Sequence, residues 1–385
     1  MIGVAERMSR IQPFYVMDLL ARTRELEAAG RDIIHMEIGE PDFDTPQPII
    51  AAGQAALAAG RTHYTPAKGL QSLRETIARH YTTTYGLALS PERVIVTPGS
   101  SGALQLVLSA LINPGDSVLL ADPGYPCNRH FVELVDGKPI AVPVGSETGY
   151  QLTAEGVEQA WRPNTKAVMV ASPSNPTGTL LSQTEMAALH AVVQRHGGVL
   201  IVDEIYQGLV YDEVGGTALS LADDVFVINS FSKFFGMTGW RLGWLVAPQP
   251  FIDPLDRLAQ NIYLSAPTLS QYAALDAFSD EVLAILEQRR LEFKRRRDFL
   301  LPALRELGFA IPVTPQGAFY LYAGCDGITT DSYAFAQRLL EEAGVAVTPG
   351  RDFGFHRPES HLRFAYTTTL PRLQAGVARI RSFIG

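Results

Sequence analysis

Residues 199–206 read VLIVDEIY, so that a short apolar run comes directly before acidic and phenolic side chains. The run is continuous rather than alternating, as expected of a strand buried on both faces of a parallel sheet. Four more runs of this kind occur at residues 94–96, 118–120, 167–170 and 225–228. Helical patterns separate the runs, and this rhythm predicts a doubly wound α/β domain with a large, mostly parallel sheet.

The helix before residue 199 has clear boundary signals. Ser182 is a good N-cap, and Glu185 completes a capping box with it. Gly197 is the expected stop, because a residue at that position commonly adopts the left-handed conformation that glycine favours. The sequence therefore predicts one helix from about residue 183 to residue 196.

The pattern changes after about residue 280. Residues 281–307 read as one long helix with interleaved acidic and basic side chains, which is typical of a solvated helix face. Short strands are predicted beyond it, at residues 318–322, 345–348 and 362–366. This order of elements indicates a smaller α+β domain.

The N-terminal segment contains one helix-like stretch, residues 16–29, and is too short to fold alone. We expect it to pack on the C-terminal part. The predicted domains are a large one at residues 47–280 and a small one formed by residues 1–46 and 281–385. A chain of 385 residues is long enough for two such cores.

Composition excludes several classes of protein. The net charge is −8, whereas proteins that bind nucleic acid typically carry a basic surface. No apolar run approaches the ~18 residues that suggest a membrane span, and the N-terminus does not resemble a signal peptide. Two cysteines give no disulfide framework and no metal-binding spacing. We therefore expect a cytoplasmic protein without a metal site.

The polar residues that follow the predicted strands form a distinctive set. Parallel strands present their carboxyl ends at one sheet edge, where ligands bind in α/β folds. We expect eight side chains to meet at this edge: Ser100, Ser101, Tyr125, Asn175, Asp203, Tyr206, Ser230 and Lys233. They supply hydroxyls, an aromatic ring, an amide, a carboxylate, a phenol and an amine. This set predicts a ligand site at the edge.

The residue types suit a phosphorylated aromatic aldehyde. Residues 99–102 open a helix, whose free N–H groups attract an anion. Asp203 could pair with a cationic ring nitrogen, and Lys233 could form a Schiff base with the aldehyde. Taken singly, each residue has an ordinary alternative, such as a capping carboxylate, a turn asparagine or a core tyrosine.

Five motifs are similar to those of the class I/II aminotransferases, pyridoxal-phosphate enzymes of fold type I in the aspartate aminotransferase superfamily. Residues 230–244 (SFSKFFGMTGWRLGW) resemble the signature around the family's cofactor lysine. Residues 172–178 (SPSNPTG) and 203–206 (DEIY) match two further motifs in the family's order. Residues 39–43 (GEPDF) and 361–366 (HLRFAY) match near the two ends, so the resemblance covers essentially the whole chain.

The resemblance implies roles for the residues at the sheet edge. Lys233 would hold the cofactor as a Schiff base and act as general base and acid. Asp203 would keep the pyridine nitrogen protonated, and Tyr125 would stack on the ring. Tyr206 and Asn175 would bind the ring oxygen. The phosphate would be bound by Ser100, Ser101, Ser230 and Arg241.

The resemblance also implies substrate and partner contacts. Arg363 would bind the α-carboxylate of an amino acid or 2-oxo acid, with help from Asn175 and the backbone at Gly39. Tyr64 would reach the phosphate in the neighbouring subunit, so the family resemblance implies a homodimer with shared active sites. The expected activity is transamination within amino acid metabolism, in a biosynthetic process.

Two alternatives stay open at this point. A lyase or a cyclopropane-forming synthase begins with the same chemistry and uses the same cofactor residues. A transcription regulator can carry this fold as a sensor, but it needs a long basic N-terminal domain, for which we expect no room here. The amino donor is also open. Ser101 stands where aspartate-using relatives often carry lysine, which weakens the case for an acidic donor without excluding it. An apolar or aromatic amino acid, or alanine, is the alternative.

Overall fold

A computed structural model describes residues 3–13, 15–212 and 215–385. Its α-helices are α1 (Tyr15–Ala28), α2 (Gln47–Ala58), α3 (Gln71–Tyr85), α4 (Gly99–Leu111), α5 (Pro126–Leu134), α6 (Ala154–Ala160), α7 (Gln183–Arg195), α8 (Ile252–Ile262), α9 (Thr268–Ala274), α10 (Asp280–Glu306), α11 (Ser332–Arg338) and α12 (Leu370–Ile384). Its strands are β1 (Ile34–Met36), β2 (Val94–Thr97), β3 (Ser117–Asp122), β4 (Lys138–Pro143), β5 (Thr165–Ala171), β6 (Val199–Asp203), β7 (Phe226–Ser230), β8 (Gly243–Val246), β9 (Tyr320–Gly324), β10 (Val345–Pro349) and β11 (His361–Ala365).

The large sheet has seven strands within the described residues, in the order β2-β8-β7-β6-β5-β3-β4. Strands β3 to β7 pair in parallel, as predicted, whereas β8 runs antiparallel to both β2 and β7. The sequence analysis did not predict β4 and β8. Strand β4 is a partly exposed edge strand with two prolines, a composition that weakens the strand pattern.

Both faces of the large sheet are buried. In β6, Leu200 and Val202 pack into one apolar cluster together with Leu189 of α7. Ile201 points to the opposite face and packs with Leu104 of α4. The continuous apolar run at residues 199–202 thus serves two cores, and the doubly wound α/β architecture is confirmed.

Helix α7 has the boundaries that its sequence predicts. The Ser182 hydroxyl accepts a hydrogen bond from the Glu185 N–H, and the Glu185 carboxylate accepts one from the Ser182 N–H. Gly197 follows the helix with a φ of +65°. The capping box and the glycine stop are therefore both present.

The small sheet has the order β1-β10-β11-β9. Strand β1 pairs in parallel with β10, so the N-terminal segment packs on the C-terminal part as expected. Strand β9 begins at Tyr320, two residues later than predicted, because Ala318 has a φ of +56° and a strand requires negative φ. The long helix α10 closely matches its prediction. The domain boundaries at residues 46/47 and 280/281 stay a prediction.

Candidate active site

A cavity of about 580 Å³ lies between the carboxyl edge of the large sheet and the small sheet. All the predicted site residues except Tyr64 line it, namely Gly39, Ser100, Ser101, Tyr125, Asn175, Asp203, Tyr206, Ser230, Lys233, Arg241 and Arg363. A volume of this size is typical of pockets for small molecules. The structure thus brings together residues that are spread over most of the chain.

Asp203 ends strand β6 and is buried, with 4% of its surface exposed. Its Oδ1 accepts a hydrogen bond from the N–H of Ile205 at 3.1 Å. Burial raises the pKa of Asp203 to about 7, although this N–H and the positive charge of Lys233 act in the opposite direction. A cation placed against the carboxylate would restore its charged form, so the position suits a protonated ring nitrogen.

Lys233 lies three residues beyond the end of β7 and is partly buried. Its Nζ donates a hydrogen bond to the carbonyl oxygen of Gly39 at 2.6 Å. Burial is the main reason that the pKa of Lys233 is lowered to about 8. The charges of Arg363 and Arg241 act in the same direction, and those of Glu40 and Asp203 act against it. The amine can therefore lose and regain a proton near neutral pH, which suits both a nucleophile and a base.

The start of α4 forms a cradle suited to an anion. Gly99 has a φ of +67°, and a Cβ atom there would lie 2.8 Å from Nη2 of Arg241. A Cβ on Gly243 would lie 2.9 Å from the backbone nitrogen of Ser100. The guanidinium and the N–H groups at the helix start can approach each other only because these positions lack side chains.

Two serine hydroxyls extend this cradle. Ser230 donates from its hydroxyl to that of Ser232 at 2.9 Å, and both residues are buried. Ser232 lines the same cavity. The sequence analysis did not assign Ser232 a role, although it stands directly before Lys233 in the quoted motif.

Arg363 is a buried cation in strand β11, with 3% of its surface exposed. Its Nη1 donates to Oδ1 of Asn175 at 3.0 Å, and its Nη2 donates to the carbonyl oxygen of Glu37 at 2.6 Å. The guanidinium carbon lies 4.4 Å from the ring centre of Tyr320 and 4.9 Å from that of Phe353.

Arg363 forms no ion pair within the part of the chain that the structure describes. Its Nε is buried, and no described residue accepts a hydrogen bond from it. Removing an unpaired guanidinium from water is unfavourable. The site therefore fits a bound carboxylate, which would accept planar, paired hydrogen bonds.

Tyr320 is a site residue that the sequence analysis missed. Its hydroxyl lies 2.8 Å from that of Tyr206, so the two phenols form a hydrogen-bonded pair in the cavity wall. A Cβ on Gly39 would lie 2.6 Å from the same hydroxyl, which explains the need for glycine there. Tyr320 follows no strand of the large sheet, and its sequence carried no signal for this position.

Tyr64 does not lie in the cavity of its own chain. Its side chain is 81% exposed and borders an open groove that Arg241 also lines. A contact with the phosphate of a neighbouring subunit stays a prediction.

Helix α1 supplies an apolar wall that the sequence analysis also missed. Val16, Met17 and Leu20 line the cavity together with the polar residues. Their spacing is that of one helix face, and the pattern alone does not indicate what that face contacts.

The sequence profile of the family "Aminotransferase class I and II" matches residues 31–380. The chain belongs to this family. The aminotransferase is 36% identical to a valine–pyruvate aminotransferase of Mycobacterium tuberculosis, with 97% of each chain covered. It is 38% identical to an aspartate/prephenate aminotransferase of Cereibacter sphaeroides, covering 100% of this chain and 99% of the relative.

A crystal structure of an aminotransferase from Mycobacterium tuberculosis superposes on this aminotransferase with a TM-score of 0.97. The two are 36% identical, and the match covers 100% of this chain and 99% of the other. The protein is therefore a transaminase of this fold, and its cofactor is pyridoxal phosphate.

The residues of the cavity fit that cofactor. The buried carboxylate of Asp203 suits a protonated ring nitrogen. The glycine-lined cradle suits the phosphate. The amine of Lys233, whose pKa is lowered, suits the aldehyde. Within the described residues, no cluster of His, Cys, Asp or Glu could hold a metal ion. No described helix is both long and apolar enough to cross a membrane.

Proposed function

We propose that the enzyme moves an amino group between an L-amino acid and a 2-oxo acid, with Lys233 as the residue that carries the cofactor. One observation carries the proposal. The amine of Lys233, the buried carboxylate of Asp203 and the unpaired guanidinium of Arg363 line one cavity. Such a site has a place for a cationic ring, a reactive amine and a carboxylate of the substrate.

Each part of the cofactor has a matching group in the chain. Asp203 would hold the ring nitrogen in its protonated form, and Tyr125 would lie against the ring. Tyr206 and Asn175 would bind the ring oxygen. The phosphate would be bound by the cradle of Ser100, Ser101, Ser230 and Arg241. When bound, pyridoxal phosphate supplies an aldehyde that condenses with amines and a ring that accepts the electron pair of a broken Cα–H bond.

Lys233 has a second task once its amine is released from the cofactor. An amine whose pKa is lowered to about 8 is neutral often enough to take a proton from the substrate Cα and to return it at another carbon. The nearby carbonyl of Gly39 accepts a hydrogen bond from Nζ and so restricts where the amine can point. Lys233 would thus act as both base and acid.

Arg363 would bind the α-carboxylate of every substrate. A strand, two aromatic faces and the Asn175 amide hold the guanidinium in place before the substrate arrives. The Cα–H bond of the substrate would consequently be oriented toward Lys233.

The alternatives differ in what supports them. A lyase or synthase would use the same cofactor residues, but the two relatives described above are named as aminotransferases. A sensor role has no comparable support. The homodimer with a site completed by Tyr64, the cytoplasmic location and the biosynthetic role stay predictions.

Borohydride reduction tests the covalent assignment. Reduction of the yellow holoenzyme should fix the cofactor on Lys233, and peptide mass mapping would locate it. An adduct on another lysine would overturn the role of Lys233. Single amino acids added to the unreduced enzyme should change the cofactor absorbance, and added 2-oxo acids should reverse the change.

A further inference from the structure

One carboxylate from the distant C-terminal part holds the start of helix α1. The N–H of Tyr15 donates to Oδ1 of Asp352 at 2.8 Å, and the N–H of Val16 donates to Oδ2 at 2.9 Å. Asp352 is 1% exposed and ends the turn Gly350–Asp352 that follows β10. The first N–H groups of a helix lack partners within the helix, and a negative charge there is favourable. Asp352 therefore caps α1 from outside it.

The rest of α1 is attached by a small apolar cluster, by an ion pair between Arg22 and Glu341, and by the contact of the Tyr15 ring with that of Tyr333. Its buried face contributes Leu19 and Leu26 to a cluster with only three other described members, Ile33, Leu340 and Ala346. The opposite face carries Met17, which is 56% exposed and lines the cavity. The end of α1 nearest the cavity thus depends for its position on Asp352 and on the contact of Tyr15 with Tyr333.

The same turn also contacts the predicted carboxylate-binding group. Phe353, next to Asp352, places its ring centre 4.9 Å from the guanidinium carbon of Arg363. Arg129 donates from Nη2 to the carbonyl oxygen of Asp352 at 3.2 Å, which fixes the turn from another side. Two adjacent buried residues, Asp352 and Phe353, thus contact the start of α1 and the guanidinium of Arg363 respectively.

The chemistry of the α1 wall indicates what it contacts. The described cations that line the cavity are Lys233, Arg241 and Arg363. In the proposed function these three groups bind the cofactor and the α-carboxylate. The wall adds only Val16, Met17 and Leu20, which favour contact with hydrocarbon.

We propose that Asp352 is a positioning residue that fixes the Val16–Met17–Leu20 wall of α1 over the cavity and thereby makes the enzyme selective for amino donors with apolar side chains. This inference rests on the proposed transamination and deepens it. Asp352 holds the start of α1 directly and does not touch the reacting atoms.

The test compares leucine and alanine as donors in the wild-type holoenzyme and in Asp352→Ala. Leucine should be the better donor of the wild type, and aspartate a poor one. The loss of the wall contact should lower kcat/KM for leucine by about tenfold, the scale of one or two methylene contacts in an apolar pocket. The loss should appear in KM rather than kcat, since the wall contacts the donor equally before and during reaction. Alanine, with a single methyl group, should be nearly unaffected.

Hydrogen exchange supplies a readout that is independent of activity. Amides of the peptide covering residues 15–23 should exchange faster in Asp352→Ala than in the wild type. Asp352→Asn, which keeps one acceptor oxygen, serves if the alanine variant does not fold, and it should give a smaller effect of the same kind. Met17→Ala should give the same selective loss, and combining it with Asp352→Ala should add little.

Ser182→Ala is the control. Ser182 caps α7 through the N–H of Glu185, and no residue of α7 lines the cavity. This control should keep the wild-type preference. Four results would overturn the inference on Asp352. They are equal losses of kcat/KM for leucine and alanine, additive effects of Asp352→Ala and Met17→Ala, the same selective loss in the control variant, and a wild-type enzyme that prefers aspartate. A wild type that accepts no amino acid would instead overturn the proposed function.

Discussion

The two ends of the active-site cavity are built differently. The end proposed for the cofactor consists of strand ends and a helix start of the large sheet, where Gly99 and Gly243 bring backbone and guanidinium into close contact. The end proposed for the substrate consists of one long side chain, Arg363, and of helix α1, which Asp352 holds. The first is fixed by the backbone and the second by side chains that distant segments supply.

This difference has a functional consequence. Rigid backbone suits groups that must act on the same cofactor atoms in every turnover. Side chains and a lightly attached helix suit the recognition of substrates that differ. Substitutions at the cofactor end should therefore change kcat, and substitutions at the substrate end should change KM.

The largest effect is expected for Asp203→Asn. A neutral amide does not stabilise a protonated ring nitrogen, so kcat should fall by about two to three orders of magnitude with KM for donors little changed. Steady-state kinetics of the holoenzyme check this. The control is Glu204→Gln, since Glu204 is equally buried but binds the N–H of Ala218. Near-normal turnover of Asp203→Asn would show that Asp203 only stabilises its turn.

Arg363→Lys should have the next largest effect. Lysine does not reproduce a planar two-point contact. Loss of one charge-assisted hydrogen bond, about 1.5–3 kcal/mol, lowers kcat/KM by roughly one to two orders of magnitude. The loss should be similar for all amino acid donors, should appear mainly in KM, and should spare simple amines.

The matched control for this substitution is Arg297→Lys. Arg297 is also buried, but it pairs with Asp212 and Asp298 away from the cavity. The Arg297→Lys substitution should leave KM for amino donors unchanged. A loss confined to acidic donors in Arg363→Lys would place the distal carboxylate, and not the α-carboxylate, on Arg363.

The smallest effect concerns the pH dependence of stability without cofactor. The pKa of Asp203 is raised from 3.8 to about 7, so folding favours its protonated form. Its contribution to the free energy of unfolding is fully present below about pH 4 and is lost as pH rises through about 7, by at most ~1.4 kcal/mol per pH unit. The melting temperature of the apoenzyme should therefore fall less between pH 5 and pH 7.5 in Asp203→Asn than in the wild type.

The cofactor should remove this difference, because a cationic ring nitrogen stabilises the charged carboxylate. Glu204 has a pKa raised to about 8 by burial, and Glu204→Gln should also reduce the pH dependence. For Glu204 the reduction should persist after the cofactor is added. If Asp203→Asn still reduces the pH dependence of the melting temperature after the cofactor is added, Asp203 does not face the ring nitrogen. Differential scanning calorimetry at the two pH values measures all of these changes.

The cofactor end was largely predictable from the sequence. Continuous apolar runs identified parallel strands, and parallel strands place their ends at one edge, so Asp203, Ser230 and Lys233 could be grouped without a structure. Strand β8 was missed because it begins at the end of the motif that also carries Lys233, and its antiparallel pairing leaves no local signal.

The substrate end was predictable only where a family motif covers it, as at Arg363. Tyr320 and Asp352 belong to no apolar run of the large sheet. The bond between Asp352 and Tyr15 joins residues separated by 337 positions, and such a contact has no counterpart in local sequence. Even the start of β9 depended on the backbone conformation of Ala318.

The parallel pairing of β1 with β10 has a consequence for synthesis on the ribosome. The contact between Glu37 and Thr348 beside this pair spans 311 positions. A nascent chain has made every strand of the large sheet by Val246, while β1 still lacks the strand it pairs with. Closing so long a loop is slow compared with local contacts. The growing polypeptide thus contains the edge proposed to bind the cofactor well before it contains β11, which carries the proposed carboxylate-binding residue Arg363.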